Sequence, residues 1–245
     1  MRPGLTLVVP YYRNIGMLAR QVHEWESYPS AISIVVVDDG SPEPALPLLT
    51  GKAVSLYRIK KDVAWNRGGA RNLGAHVADT EWLMHIDIDH ILPAACAQAM
   101  MAWYWPPNAG YWYRFRRFRV GKADETRRKD AIADDVEYGE VKPHGDSYLC
   151  TRELYWRAGG YNENFSGCLG GGSPFLRELE IEAGAPKLMP ADVCLHVHTR
   201  HSVADASDNT LSRDTNEYTR RRKQMERSGT LRGTNPLRFE WERVL

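Results

Sequence analysis

Two carboxylates, Asp87 and Asp89, follow the apolar run Trp82–Ile86. Alternate residues of an extended chain share a face, so both can approach one cation, and hard oxygen ligands suit Mg²⁺ or Mn²⁺. An acidic turn at a strand end leaves the same pair, so the spacing alone does not select a metal. A second pair, Asp38-Asp39, precedes Gly40-Ser41. A carboxylate there can accept from a nucleobase N–H or a ribose hydroxyl, although Asp-Gly-Ser is also ordinary turn chemistry. Asn66–Gly74 (NRGGARNLG) offers Arg67 and Arg71 at a helix start, among small residues that let a phosphate come near the backbone. It is neither a Walker A loop nor a GxGxxG fingerprint. Cys194, His196 and His198 alternate onto one face of a strand. Those imidazoles can complete an Asp/His metal site or be purely structural.

These groups need elements to hold them. Leu5–Val9, Val54–Ile59 and Trp82–Ile86 read as strands, and Ile32–Val37 is a continuous β-branched run of the kind a parallel sheet buries on both faces. Between them, Ile15–Ser27 and Gly68–Ala78 repeat their apolar and small residues at helical spacing. Alternating strands and helices predict a doubly wound α/β sheet, which binds ligands at the carboxyl ends of its strands. Both acidic pairs fall at such ends. Further on, Pro93–Trp103 reads as a helix, and Tyr111–Val120 as an exposed strand alternating aromatics with arginines. Residues 121–145 read as a loop, and Ser147–Cys150 as a short strand before a helix ended by Gly159-Gly160. Ser173-Pro174 opens a helix that Gly184 stops, Lys187–His198 reads as a last strand, and Leu211–Arg227 as a basic helix.

The chain has 245 residues, 43% of them hydrophobic and 26% charged, a composition that excludes a wholly disordered protein. No apolar run approaches the roughly 20 residues that span a bilayer. No signal-peptide pattern precedes Leu5, so a cytoplasmic location is expected. Four scattered cysteines give neither a zinc knuckle nor a disulfide framework. The net charge of +1 conceals two basic stretches. Residues 114–129 carry eight basic against two acidic side chains, and residues 213–243 nine against five. They suit a polyanionic partner or are simply solvated faces.

Taken in order, Val9–Asn14 (VPYYRN), Val35–Ser41 (VVVDDGS), Arg67–Gly74, His85–Asp89 (HIDID) and Gly159–Gly167 (GGYNENFSG) resemble the family 2 glycosyltransferases over roughly residues 5–200. The resemblance implies the GT-A fold, a Rossmann-like doubly wound mixed sheet. Residues 1–205 would form that domain, with 206–245 a basic helical extension packed on it. Asp38 or Asp39 would then bind the nucleobase of a nucleotide-diphosphate sugar beside Pro10 and Tyr11. Arg67 and Arg71 would lie by the base or diphosphate, and Asp87 would reach the ribose. Asp89 would hold Mn²⁺ or Mg²⁺, and His196 or His198 matches a third metal ligand of GT-A enzymes. Tyr161, Asn162 and the following loop would line the acceptor pocket.

The resemblance breaks where family members carry Gly-Gly-Glu-Asp, whose Asp is the general base of an inverting transfer. Gly171 and Gly172 stand in place of the Glu and Asp, and glycine takes no proton. Three readings remain. Asp146 or Glu178 serves as base, or the reaction retains configuration with the departing phosphate oxygen accepting the proton, or the protein no longer transfers. The implied activity is metal-dependent transfer of a sugar, from a UDP-sugar by preference, to an acceptor hydroxyl. A hydroxymethylated DNA base fits the basic segments, with Arg116 and Arg117 on the phosphate backbone, and an intracellular glycan fits equally. The alternatives are a donor- or DNA-binding protein with degenerate chemistry, and a nucleotidyltransferase, which would release pyrophosphate.

Overall fold

The computed structural model describes residues 2–103, 105, 110–121, 136–168, 171–198, 215–234 and 236–245. Apolar runs build its first half: β1 (Arg2–Tyr11), β2 (Ile32–Asp38), β3 (Ser55–Ile59) and β4 (Thr80–His85). Strands β2 and β4 both run parallel to β1, one on either side, and β3 runs parallel to β2. Helix α1 (Ile15–Trp25) starts where the Asn14 side chain accepts from the Met17 N–H at 3.1 Å. It buries Met17, Leu18, Val22 and Trp25. The short helix α2 (Leu46–Leu49) precedes β3. Helix α3 (Arg67–Val77) crosses back from β3 to β4 and packs its small-residue face on β1 and β2. A Cβ on Gly74 would overlap Val8 Cγ1, so the helix lies close because that residue is glycine.

The main sheet has eight strands in the order β10-β6-β9-β4-β1-β2-β3-β12. After β4 come β5 (His90–Ile91), α4 (Ala94–Ala102), β6 (Trp112–Arg114), β7 (Arg116–Gly121) and β8 (Val136–Val141). Then follow β9 (Tyr148–Thr151), α5 (Arg152–Arg157), a 3₁₀ turn at Glu163–Phe165 and α6 (Gly172–Ala183). The chain continues through β10 (Lys187–Leu188), β11 (Cys194–Val197), α7 (Thr215–Ser228) and β12 (Trp241–Arg243). A second sheet, β5-β11-β7-β8, packs beside the first. From β1 the chain winds outward through β2 and β3, then returns to the other flank of β1 as β4. This reversal leaves a crevice beyond the carboxyl ends of β1, β2 and β4. The sheet is mixed, because β9 and β12 are antiparallel to β4 and β3.

Several elements depart from the sequence reading. Tyr111–Val120 is two strands in two sheets, with Trp112, Tyr113 and Phe115 buried. Those three aromatics belong to the core, whereas Tyr111, ahead of β6, is exposed. Within the stretch read as a loop, β8 pairs antiparallel with β7. Lys187–His198 divides into β10 and β11 because the chain turns between them, with the Val193 N–H on the Pro190 carbonyl. Helix α6 starts at Gly172 with no side-chain cap, placing Ser173-Pro174 inside its first turn. The basic helix begins at Thr215 among the described residues. Residues 211–214, much of the 114–129 stretch and the join at 205/206 lie outside them. All four cysteines are buried thiols outside any disulfide, and Cys96 Sγ lies 3.6 Å from Cys194 Sγ.

Candidate donor and metal site

Strand ends bring the two acidic pairs to the crevice. Asp38 closes β2 in register with Tyr11 of β1. Its Oδ1 accepts from the Ser41 N–H at 2.8 Å, and Oδ2 lies 3.4 Å from Arg58 Nη1. Burial raises its pKa despite those partners. Asp39 is deeper. Its Oδ1 accepts from Asn66 Nδ2 at 3.0 Å, its N–H donates to the Tyr11 carbonyl at 2.9 Å, and burial pushes its pKa well up. Gly40 turns at φ +76°, where a Cβ would overlap the backbone of Lys61 and Asp62. Pro10 is half-buried, and Tyr11 lies wholly in the core.

Beyond β4 a denser cluster forms. Arg71, only 1% exposed, projects from α3 and donates through Nη2 to Asp87 Oδ1. Arg67 Nη1, one helical turn earlier, lies 3.8 Å from that oxygen and 3.3 Å from Asp146 Oδ2. Arg71 also reaches Asp146, at 3.9 Å to Oδ1 and 3.3 Å to its carbonyl. Its guanidinium stands 5.4 Å from the centre of the Tyr161 ring. Burial alone would raise the Asp87 pKa, but Arg71 and then Arg67 outweigh it, and the carboxyl titrates well below its ordinary value. The result is two carboxylates matched by two guanidiniums, of which Arg67, one-third exposed, is the one open to a diphosphate.

Two histidines join this cluster. Asp87 Oδ2 lies 3.4 Å from His144 Nδ1. His90 Nδ1 pairs with Ser147 Oγ at 2.6 Å, and its Nε2 faces Arg117 Nη1 at 3.0 Å. Burial holds the His90 pKa down to about 3 against the pull of Asp87. Among the described residues, the group of metal-ligating side chains whose ligand atoms all approach within 4.8 Å is Asp87, His90 and His144. Neither histidine is evident in the sequence reading. His90 could have been found, since HIDIDH places it three residues after Asp87; His144 is brought in only by the fold.

The other sequence candidates fall around this centre. Asp89 is half-buried, and its carbonyl accepts from the His198 N–H at 3.0 Å, which sets the end of β11 against the acidic turn. His198 Nδ1 lies 3.4 Å from Arg20 Nη1, whereas His196 sits within β11 opposite Ile91 and Phe118. Arg117 turns inward to His90 and the Lys142 carbonyl, and Arg116 pairs with Glu140 at 3.3 Å. Tyr161 is buried beneath Arg71. The Asn162 amide donates to the Thr230 and Leu231 carbonyls at 2.9 and 3.1 Å, so it fastens the C-terminal segment. Glu178 stands half-buried further along α6 from Gly172. A Cβ on Gly172 would overlap Asp146 Oδ1. Asp146 therefore fills the space a side chain at position 172 would need.

Comparison with known proteins gives the family and the fold. The model of glycosyl transferase family 2 matches residues 6–176. No curated protein is matched. Among solved structures the chain resembles S. aureus TarS 1–349, with a TM-score of 0.54 and 13% identity over 92% of this chain and 73% of that one. TarS 1–349 in complex with UDP-GlcNAc matches with a TM-score of 0.54 and 12% identity, over 80% of this chain and 59% of that one. The mannosyltransferase PcManGT from Pyrobaculum calidifontis, in complex with GDP-Man and Mn²⁺, gives a TM-score of 0.55 and 18% identity, over 86% and 65%. The chain spans 44% of the longer TarS structure. At these identities the structural likeness speaks for the GT-A fold.

Proposed function

Because the chain belongs to glycosyl transferase family 2, we propose that it moves a sugar from a nucleotide-diphosphate sugar to an acceptor hydroxyl in a reaction that needs Mn²⁺ or Mg²⁺. The observation that carries this reading is the convergence of Arg67, Arg71 and Asp87 at the strand-end crevice, beside Asp38 and Asp39. In this reading Asp38, Asp39, Pro10 and Tyr11 form the nucleoside end. Arg67 and Arg71 hold the diphosphate, and Asp87 meets the ribose. Asp89, His196 and His198 would hold the cation, a carboxylate and two imidazoles being donors that suit Mn²⁺; the contact that links them is the backbone bond from His198 N–H to the Asp89 carbonyl. A cation bound there neutralises charge on the leaving diphosphate.

Transfer forms a bond between the acceptor oxygen and the sugar's anomeric carbon as the bond to diphosphate breaks, releasing a nucleoside diphosphate. The acceptor proton passes to Asp146, whose carboxylate occupies the volume left by Gly172. Glu178 is the weaker candidate because its place on α6 lies further from the arginine cluster. Tyr161 lines the acceptor side. A UDP-sugar is the first donor to try. A DNA acceptor would have to be met by the exposed stripe Arg220, Lys223 and Arg227 on α7, since Arg116 and Arg117 are engaged within the protein.

The test is titration of UDP-, GDP-, ADP- and TDP-sugars with and without Mn²⁺, followed by analysis of the released products. A nucleoside diphosphate as product supports transfer, whereas pyrophosphate would indicate nucleotidyl chemistry. Asp89→Ala should abolish metal-dependent donor binding, and unchanged affinity and turnover in that variant would refute the reading. Asp146→Asn should leave donor affinity intact and lower kcat by about 10²–10⁴, the range for a lost general base. Undiminished kcat would remove Asp146 from that role.

A further inference from the structure

We propose that Asp87, His90 and His144 form a binding site for a divalent transition-metal cation, separate from the Asp89–His198 pair. Their ligand atoms already lie within 4.8 Å of one another. Ligands at about 2.0–2.2 Å from a shared ion stand roughly 3–4 Å apart, so closure asks only for small side-chain rotations. Two imidazoles and one carboxylate favour Zn²⁺, Mn²⁺, Fe²⁺ or Co²⁺ over Mg²⁺ or Ca²⁺.

The surroundings are arranged for this division of labour. Asp87 gives Oδ1 to Arg71 and Arg67 and turns Oδ2 toward His144. One carboxylate oxygen is thereby fixed while the other remains available for an ion. Ser147 Oγ, 2.6 Å from His90 Nδ1, orients that ring as outer partners of metal ligands commonly do. Two donors compete with an ion, the Asp146 N–H at 3.3 Å from His144 Nδ1 and Arg117 at His90. Arg117 Nη1 faces His90 Nε2 at 3.0 Å, and cation entry requires that contact to open. Arg117 keeps a second anchor on the Lys142 carbonyl through Nε at 2.8 Å, so release from His90 does not strand it. Arg67, Arg71 and Arg117 oppose a further positive charge, and Asp87, Asp89 and Asp146 counter them.

A bound ion would join the β4–β5 turn, which carries Asp87 and His90, to the segment before β9, which carries His144 and Asp146. The proposal does not depend on sugar transfer, and its test uses no donor. The full chain is titrated calorimetrically with Zn²⁺ and with Mn²⁺, and its Co²⁺ form is followed by visible absorption. His144 is partly exposed, so His144→Gln preserves the fold. It should weaken Zn²⁺ binding at least about tenfold, the lower range even for an outer-shell loss, and change the Co²⁺ spectrum. His76→Gln, exposed at the far end of α3 and outside both clusters, should leave both unaltered. Wild-type affinity in His144→Gln, an equal loss in His76→Gln, or no Zn²⁺ binding by the wild-type chain would each overturn the proposal.

Discussion

Gly172 and Asp146 compete for one volume, and this exclusion explains why a carboxylate and a glycine sit where they do. Any side chain at position 172 must displace Asp146 Oδ1. Gly172→Ala should therefore cost about 1–3 kcal/mol of stability, as overpacked sites do. It should also depress turnover more than donor affinity; equal losses in kcat and affinity would show that the carboxylate does not act in the chemical step. Much of this neighbourhood is legible in the sequence. Asp38, Asp39, Arg67, Arg71 and Asp87 stand at strand ends and a helix start, where local pattern and strand order suffice to place them. Asp146 could be named as a carboxylate but not positioned, because only β9 pairing with β4 brings it to Arg67. Asn162 shows the opposite case, since its motif suggests an acceptor contact and its amide is committed to backbone carbonyls of the C-terminal segment.

Elements are fixed by a few close approaches. Helix α3 rests on β1 through Gly74, and Gly74→Ala should lower the melting temperature by forcing Val8 and the helix apart, again by about 1–3 kcal/mol. An unchanged melting temperature would mean that α3 can tilt freely. The turn at Glu163 works by polar means. Its carboxylate, 2% exposed, accepts from the Leu237 and Arg238 N–H groups at 2.7 and 2.8 Å and from Asn72 Nδ2 at 2.7 Å. Arg221 adds bonds to the Asn164 and Ser166 carbonyls at 3.1 and 2.8 Å. Glu163→Ala leaves two backbone donors unanswered, at a cost of about 1–3 kcal/mol each if they stay buried. Faster hydrogen exchange across residues 229–239 is expected, and unaltered exchange there would contradict it. The central strands and α1, α3 and α4 were readable from apolar period. Strands β8 and β12 were not, because charged side chains carry no burial signal and their pairing depends on partners distant in sequence.

At the scale of the whole molecule, two enclosed imidazoles tie stability to pH. The His85 ring stacks between Tyr148 and Tyr155, with centroids 5.0 and 5.1 Å away, and burial lowers its pKa well below 6.5. His90 shares that direction, down to about 3. Both stay neutral in the folded chain while the unfolded chain takes up protons below about 6.5. Stability is therefore fully present above that pH and falls as the pH drops toward 3, each group contributing up to about 1.4 kcal/mol per pH unit. Asp38 and Asp39, whose pKa values burial raises, have the opposite slope above 3.8 and offset part of that loss. In metal-free buffer the urea midpoint should be lower at pH 5.5 than at 7.5, and His85→Phe should flatten the difference. Equal midpoints in the wild-type chain would contradict the assignment. No helix among the described residues is long and apolar enough to cross a membrane. The outer edge of β3 is covered by β12, paired antiparallel from Trp241↔Ile59 to Arg243↔Tyr57. On the ribosome β3 emerges long before its cover, so its unpaired N–H and C=O groups remain an adhesive border until residues 241–243 are made. Synthesis speed and chaperone supply over that interval, more than final stability, would then govern how much of the protein is recovered unaggregated.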